Sequence, residues 1–588
     1  MTSQECGTTL SLLNIIMESV KIALMLLSTI FTVKGADVIN AVEVNTPSGW
    51  VRGYEENYEK GQVYRFVKIP FAQPPTGNLR FQKPQPVADW EDVKGTSNEN
   101  SPSCPQWDLP VPGLDSLVQN EDCLYLNIYV PGKISKERNL SIMVWIHGGG
   151  FSMGGGSQYK PQKLVLGGDV IVVTINYRLG LIGFFTLNDP LLSGNFGLWD
   201  QIEAFRWVQK NIEAFGGNPN SVTIFGESAG GMSVSLQTLI PSNKGLFQRA
   251  IAQSGVASIF TFSKKEMEKK TADMLLDRNS CNKEDVSEIL KCLQEISVDN
   301  ITNSVTVMDM MKPLNTSIDF GGFVPNVDGE LIKENLAYPG SSDDDIYSFF
   351  RTVDYMSGTL DGEGNMEYLG IGPDIQEHYK FNVTEKISKR FLCEMTAPVY
   401  VEMAVGNAPE LAQEICDFYT DTESIEAQSN KICEFRCDHF FIVPSNVLLS
   451  IHANNNKETN TFQYLMTKPS PAQFFGDPPA WFKGARHGDD LYHFFKISVE
   501  DLPEEKRKGL VDDDPLSENV IQYWANFAKF GNPNSDKVPE WPSYDVNSKR
   551  YVILDTQITT GQNLKSESTA LLSKIVEKGR QRLRHDEL

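Results

Sequence analysis

The residues best suited to chemistry lie in the segment 221–231, which reads Ser-Val-Thr-Ile-Phe-Gly-Glu-Ser-Ala-Gly-Gly and contains Ser228. An apolar, β-branched run precedes this serine and apolar residues at helical spacing follow it, which predicts a strand, a turn and a helix. Gly226 and Gly230 leave room for a tight turn that strains the serine and exposes its hydroxyl. Serine hydrolases present their nucleophile in this way, so Ser228 is predicted to attack a carbonyl carbon.

A second glycine-rich segment lies upstream, where a predicted strand ends in His147-Gly-Gly-Gly-Phe151. Acyl transfer through a serine forms a tetrahedral intermediate, and its oxyanion needs N–H donors that already point at it. Glycines let a loop adopt the backbone angles that aim N–H groups inward. The predicted oxyanion donors are therefore the backbone N–H groups of Gly149, Gly150 and Ala229.

Further motifs extend over nearly the whole chain, and in order and number they resemble the type-B carboxylesterase and cholinesterase family of α/β-hydrolases. The stretches that carry the resemblance are 69–75, 79–81, 121–127, 176–180, 200–201, 207–212, 215–217, 253–255, 523–528 and 531–533. The resemblance implies a serine carboxylesterase that works through an acyl-enzyme. It implies neither a metal nor a cofactor.

A serine hydroxyl needs an imidazole base, and in this fold the acid precedes the histidine in the chain. The His-Gly-acid pattern of the family matches His487, in the small-residue loop Gly484-Ala-Arg-His-Gly-Asp-Asp490. Two other histidines compete for the role. His493 fits a packed segment better, and His452, beside an asparagine-rich loop, is expected to be solvated.

The acid is expected in the segment 354–364, where a short predicted strand ends in glycines. The family pattern of glycine, four residues, glutamate and glycine matches Gly358 and Glu363, so the resemblance implies Glu363 as the third member of the triad. The residue types alone do not separate Glu363 from Asp361. Glu227, beside the nucleophile, is either a charge that lines the site, as in the family, or an elbow residue without a chemical role.

Predicted strands alternate with helical stretches along the chain. The four clearest strands span residues 143–146, 170–175, 222–225 and 249–253. This order predicts an α/β-hydrolase with a mostly parallel central sheet, helices on both faces and helical cap insertions. The segment from about 263 to 328 is rich in charge and in helix formers, and we expect it to form a cap over the site. The catalytic domain is predicted to span residues 37–565.

The two ends of the chain suggest a compartment. Residues 1–36 combine Lys21, an apolar run and a small-residue exit at Ala36, which is typical of a cleaved secretory signal. The tail, residues 566–588, ends in His585-Asp-Glu-Leu588, an address read by the retrieval receptor of the endoplasmic reticulum. We expect a protein of the endoplasmic reticulum lumen, with secretion as the alternative. No further segment predicts a membrane span.

The chain has nine cysteines, of which Cys6 belongs to the predicted signal. The resemblance implies two disulfides, Cys104–Cys123 and Cys281–Cys292. The remaining four cysteines allow three pairings, and the sequence does not choose among them; they are Cys393, Cys416, Cys433 and Cys437. Four sequons mark candidate glycosylation sites at Asn139, Asn300, Asn315 and Asn382.

The formal net charge of −23 argues against nucleic acid and anionic membranes as partners. The expected partner is a small-molecule ester. Cholinesterases carry a choline-stacking tryptophan late in the first disulfide loop, but residues 113–120 contain no aromatic residue, and Trp107 lies too early. Asn365-Met-Glu367 also replaces the aromatic pair that cholinesterases have after the acid. Carboxylic esters are favoured; a cholinesterase, a lipase-like hydrolase and a non-catalytic adhesion protein remain as alternatives.

Overall fold

A computed structural model describes residues 40–95, 101–107, 117–258, 261, 265–306, 309, 323–333, 346–422, 424–471, 477–495 and 514–586. The predicted signal segment, Asn315 and the last two residues of the retrieval motif lie outside the described residues. Part of the segment 113–120 also lies outside them.

The described residues form one sheet of twelve strands in the order β1-β2-β3-β4-β6-β5-β7-β8-β9-β10-β11-β12. The strands are β1 (Ala41–Thr46), β2 (Gly49–Tyr58), β3 (Gly61–Pro70), β4 (Tyr125–Pro131), β5 (Leu140–Ile146), β6 (Ile171–Ile175), β7 (Gly217–Glu227), β8 (Arg249–Gln253), β9 (Asp354–Leu360), β10 (Thr461–Met466), β11 (Arg550–Leu554) and β12 (Thr559–Gln562). The run from β6 to β11 pairs in parallel, and antiparallel strands flank it at both edges. The predicted mostly parallel sheet is confirmed.

Helices connect and cover the strands. The α-helices are α1 (Gln162–Gly168), α2 (Gly180–Phe184), α3 (Phe196–Asn211), α4 (Ala229–Thr238), α5 (Lys265–Arg278), α6 (Val286–Glu295), α7 (Val298–Ser304), α8 (Asn365–Leu369), α9 (Pro373–Tyr379), α10 (Lys389–Phe391), α11 (Ala397–Ala404), α12 (Pro409–Thr420), α13 (Ile425–Cys437), α14 (Val443–Ala453), α15 (Leu491–Phe494), α16 (Pro515–Phe530) and α17 (Ser566–Asp586). Short 3-10 turns span Gly77–Leu79, Lys136–Arg138, Gly156–Gln158, Ile212–Phe215, Pro241–Asn243 and Phe350–Thr352, and π-turns span Leu392–Thr396 and Asp438–Ile442.

Both faces of the sheet are buried, as β5 illustrates. Ile142, Val144 and Ile146 point into one apolar cluster, which also contains residues of α3, α4 and α14. The alternate residues Met143 and Trp145 point into a second cluster with residues of α1 and α16. A parallel strand covered on both faces is apolar throughout, which is why β5 is an unbroken apolar run after Ser141 and has no polar alternation.

Two helical insertions interrupt the strand order. The first, α5–α7, lies between β8 and β9, inside the segment predicted as a cap, and packs on Phe81, Leu181 and Phe196. The second, α8–α14, lies between β9 and β10 and was not singled out in the sequence. Its apolar cluster includes Leu572 and Ile575 of α17, so this last helix packs against the second insertion.

Three disulfides link six of the cysteines. Cys104 pairs with Cys123 and Cys281 pairs with Cys292, which are the two pairs that the resemblance implies. Of the four cysteines left open, Cys393 and Cys416 form the third disulfide, whereas two are buried free thiols; these thiols are Cys433 and Cys437.

The described asparagines of the sequons all lie at the surface; they are Asn139, Asn300 and Asn382. Among the described residues, no helix combines the length and the apolar character that crossing a membrane requires.

Candidate active site

Ser228 lies in a sharp turn between a strand and a helix. β7 ends at Glu227, α4 begins at Ala229, and the serine between them has φ 59° and ψ −125°. A non-glycine residue with this backbone conformation is strained, and surrounding structure must hold it in place. The Ser228 N–H donates to Gln253 O at 2.9 Å, and Ser228 O accepts from Met232 N–H at 2.9 Å, which fixes the turn on both sides.

The glycines on either side of Ser228 are required by close packing. A Cβ atom on Gly226 would lie 2.5 Å from Ile146 O, and one on Gly230 would lie 2.0 Å from the same oxygen. Both distances are shorter than any tolerated contact, so the turn is pressed against the end of β5. The predicted strand, tight turn and helix are therefore the observed arrangement.

The glycine-rich loop that follows β5 lies beside the serine. A Cβ atom on Gly148 would be 3.0 Å from Ser228 Cβ. Gly149 and Gly150 have φ values of 106° and 61°, which favour glycine. Within the described chain, the N–H groups of Gly149, Gly150 and Ala229 donate to no protein acceptor. Three free donors next to the serine are the arrangement that an oxyanion would need.

Glu363 and His487 come together although 124 residues separate them. His487 Nδ1 and Glu363 Oε2 are 2.5 Å apart, and the Glu363 side chain is 0% exposed. The second carboxylate oxygen, Oε1, accepts from the Leu360 N–H at 2.9 Å, where β9 ends. The Phe441 ring packs against the imidazole at 5.0 Å between centroids. The histidine is thus oriented from two sides.

Ser228 and His487 are not joined by a hydrogen bond. In the described part of the chain, Ser228 Oγ has no hydrogen-bond partner, and His487 Nε2 lies 3.2 Å from Glu227 Oε1. Because Glu227 is the neighbour of Ser228, the imidazole faces the elbow. Catalytic hydrogen bonds often tighten only when substrate binds.

The electrostatics of the site depend on His487 and two carboxylates. Burial lowers the pKa of His487, but the charges of Glu227 and Glu363 outweigh this effect and raise the pKa to about 9. Burial raises the pKa of Glu227 to about 8, against the favourable charge of His487. Glu227 therefore contributes, together with Glu363, to the charge state of the imidazole, which favours the interpretation that Glu227 lines the site as a charge.

A third buried carboxylate, that of Asp490, lies near His487, and the sequence did not predict it as part of the site. Burial raises its pKa to about 7, against the hydrogen bond from Gln253. Gln253 Nε2 donates to Asp490 Oδ2 at 2.6 Å, while Trp524 Nε1 donates to Gln253 Oε1 at 3.1 Å. The adjacent acids Asp489 and Asp490, two and three residues after His487, were the signal available in the sequence.

The competing residues have other partners. Asp361 Oδ1 accepts from the Ala485 N–H at 2.7 Å and does not contact the imidazole. His493 is buried and bonded to Ser517 Oγ at 2.7 Å, as a packed residue should be. The expectation that His452 is solvated is wrong: it is buried, with its ring nitrogens 2.8 Å from Thr461 Oγ1 and 2.9 Å from Val353 O. The neighbouring Asn454 and Asn455 are exposed, but the His452 ring points inward from α14.

Trp107, which precedes the loop position of the choline-stacking tryptophan, has a structural role. Its indole Nε1 donates to Val305 O at 3.1 Å, and its ring packs 4.8 Å from that of Phe323. With 8% of its surface exposed, Trp107 offers no open face to a cation.

Comparison with known proteins finds relatives over nearly the whole chain. A sequence model of the carboxylesterase family matches residues 40–572. The chain is 33% identical over 559 residues to pyrethroid hydrolase Ces2e of Rattus norvegicus, covering 92% of this chain and 91% of that protein. It is 34% identical over 574 residues to liver carboxylesterase of Sus scrofa, with coverage of 93% and 95%. Bile salt-activated lipase of Bos taurus is 33% identical over 536 residues, with coverage of 88% and 84%.

Proposed function

Because this chain belongs to the carboxylesterase family, a family of hydrolases that act on carboxylic esters, we propose that it is a serine carboxylesterase with the triad Ser228, His487 and Glu363. The observation that carries the proposal is the buried imidazole of His487, bonded to Glu363 through Nδ1 and facing the strained serine turn through Nε2. A serine, a base and an orienting acid are the parts that acyl transfer requires.

The mechanism follows from the positions of these groups. Ser228 Oγ attacks the ester carbonyl while His487 Nε2 accepts its proton, and Glu363 stabilises the imidazolium through Nδ1. The N–H groups of Gly149, Gly150 and Ala229 stabilise the oxyanion. His487 then protonates the leaving alcohol. Water attacks the acyl-enzyme by the same route and releases the carboxylic acid.

A covalent probe tests the nucleophile directly. A fluorophosphonate should label the folded protein stoichiometrically, because an activated serine attacks phosphorus as it attacks a carbonyl carbon. Peptide mapping by mass spectrometry should place the adduct on Ser228. A folded protein that stays unlabelled, or an adduct on another serine, would contradict the proposal and favour a non-catalytic member of the family.

The proposed substrates are carboxylic esters other than choline esters. Two observations support this preference: Trp107 is buried in the packing around α5–α7, and Met366, just after the acid, is an exposed aliphatic side chain where cholinesterases have an aromatic one. The lipase-like alternative rests on the similarity to bile salt-activated lipase and differs only in the esters accepted. Comparing hydrolysis of short-chain, long-chain and choline esters separates the three.

The pH dependence should respond to Glu227. The base must be neutral to accept a proton, so kcat/KM should rise with pH as the His487 imidazolium loses its proton. Glu227 raises the pKa of His487. Glu227→Gln removes this charge and should shift the acid limb of the kcat/KM profile to lower pH, by about one unit.

A matched control for this shift is Glu203→Gln, which changes a buried glutamate on α3 that is paired with Arg206. Its pH profile should superimpose on that of the wild type. If Glu227→Gln leaves the acid limb where it is, Glu227 does not set the charge of the base.

We also propose that the enzyme works in the lumen of the endoplasmic reticulum. Three disulfides support a compartment that oxidises cysteines, and the signal-like residues 1–36 and the motif 585–588 support entry and retrieval. Cells that express the protein without residues 585–588 should secrete it, while the full chain should stay inside. Secretion of both forms at equal rates would contradict retrieval.

A further inference from the structure

The segment that carries the acid and the segment that carries the histidine are joined at several points. Gly362 N–H donates to Ala485 O at 2.8 Å, and Ala485 N–H donates to Asp361 Oδ1 at 2.7 Å. The next contact is made by Asn365, two residues beyond the acid: its Oδ1 accepts from the His487 main-chain N–H at 2.9 Å. Glu363 and Asn365 therefore hold the same residue, one by its ring and the other by its backbone.

We propose that Asn365 is a positioning residue for the reaction, which fixes the His487 main chain so that the imidazole meets both Glu363 and Ser228. The proposal rests on the proposed triad and adds a member that touches neither substrate nor nucleophile. Its role is to restrict the position of the His487 imidazole. Misplacement of a catalytic group by about 1 Å can cost about 100-fold in rate.

The burial of Asn365 points to this acceptor role. The residue is 0% exposed, and in the described part of the chain its Nδ2 has no hydrogen-bond partner. A buried amide that leaves its NH2 group unpaired is costly. Leucine would fill a similar volume without that cost, so what the site gains from asparagine is Oδ1, bonded to the His487 N–H.

The backbone around Asn365 leaves it little freedom to move. A Cβ atom on Gly364 would lie 1.9 Å from Cys433 O of α13, and one on Gly362 would lie 2.6 Å from Ala485 O. The acid segment is thus packed between α13 and the histidine segment. Asn365 is also the first residue of α8, and its own N–H donates to Gly362 O at 3.0 Å. Because the backbone of the acid segment at Asn365 is held in place, its hydrogen bond can hold the backbone of the histidine segment at His487 in place.

The proposal is tested with Asn365→Leu, which keeps the size and removes the acceptor. We expect kcat for a short-chain aryl ester to fall by about 100-fold while KM stays within a factor of two or so. Asn365→Asp keeps an acceptor oxygen of the same reach. It should restore kcat to within about tenfold of the wild type on the alkaline plateau of the pH profile. The added carboxylate raises the pKa of His487, but at that pH the imidazole is neutral all the same.

Two further variants control for misfolding of Asn365→Leu and for a general effect of losing any contact to the histidine segment. Asn365→Ser is small, suits a helix start and does not reach the His487 N–H; it should lose kcat as Asn365→Leu does, and it serves if the leucine variant does not fold. Asp361→Ala removes a part-buried hydrogen bond to the same segment, from the Ala485 N–H, and should cost less than about tenfold in kcat. Thermal melting checks that each variant is folded.

The outcomes separate this inference from the proposed triad. If folded Asn365→Leu and Asn365→Ser keep the wild-type kcat, the positioning role is wrong, while fluorophosphonate labelling of Ser228 in the wild type would still support the triad. If both variants lose kcat and KM rises in parallel, or if Asn365→Asp is as slow as Asn365→Leu, the residue supports the fold of the pocket and does not position the base.

Discussion

Ser228→Ala should lower kcat for ester hydrolysis by about five to six orders of magnitude, which corresponds to about 7–8 kcal/mol of transition-state stabilisation. The loss is large because no covalent intermediate can form without the hydroxyl. A small residual rate should remain, since the N–H donors of Gly149, Gly150 and Ala229 stay in place and still stabilise an oxyanion. KM should change little, because the missing oxygen contributes to bond formation and not to binding.

The matched control is Ser233→Ala, which changes a buried serine on the same helix. Its Oγ accepts a hydrogen bond from Gln201 Nε2 at 3.0 Å, so the variant loses stability without losing a reactive group. Its kcat should stay within about tenfold of the wild type. Initial rates with an aryl ester, together with active-site titration, measure both variants. A Ser228→Ala protein that retains more than about 1% of the activity would exclude Ser228 as the nucleophile.

Glu363→Gln should be the second most damaging change, with kcat reduced by about 10⁴-fold. In the wild type, one carboxylate oxygen accepts from the Leu360 N–H and the other faces His487 Nδ1. A glutamine must keep its carbonyl oxygen toward Leu360, so its NH2 group faces Nδ1. Nδ1 then becomes an acceptor, the ring proton moves to Nε2, and Nε2 can no longer accept the proton of Ser228.

Asp361→Asn is the informative comparison, because Asp361 is the carboxylate that the residue types alone could not separate from Glu363. An asparagine there still offers an oxygen to the Ala485 N–H, so activity should stay within about tenfold of the wild type. Steady-state rates and melting temperatures of Asp361→Asn and Glu363→Gln show which of the two carboxylates is the acid of the triad. Equal losses in the two variants would contradict Glu363 as the acid.

The elements predicted best were those determined by local pattern. The strand, turn and helix around Ser228 are contiguous in sequence, and their glycines are dictated by contacts with the end of β5, so residues 221–231 contained most of the relevant information. The alternation of strands and helices likewise predicted the parallel sheet. Glu363 and His487 followed from motifs that the family shares, and the structure brings them within 2.5 Å of each other.

What the sequence did not reveal depends on packing between distant segments. Asn365 and Asp490 are ordinary polar residues until the chain folds and buries them beside His487. The buried position of His452 arises in the same way, because a helix turns the ring inward regardless of its polar neighbours. Cys433 and Cys437, both on α13, remain thiols, while Cys393 in the π-turn Leu392–Thr396 pairs with Cys416 on α12.

The three proposed catalytic residues are far apart along the chain, so activity depends on completed folding. Glu363 and His487 meet across a separation of 124 residues that includes the whole second insertion. A contact between residues this far apart requires the intervening chain to be closed into a loop, so it depends on long-range folding and not on local structure. Catalytic turnover is therefore a measure of completed folding, and covalent titration of Ser228 would count the native molecules in a cell lysate.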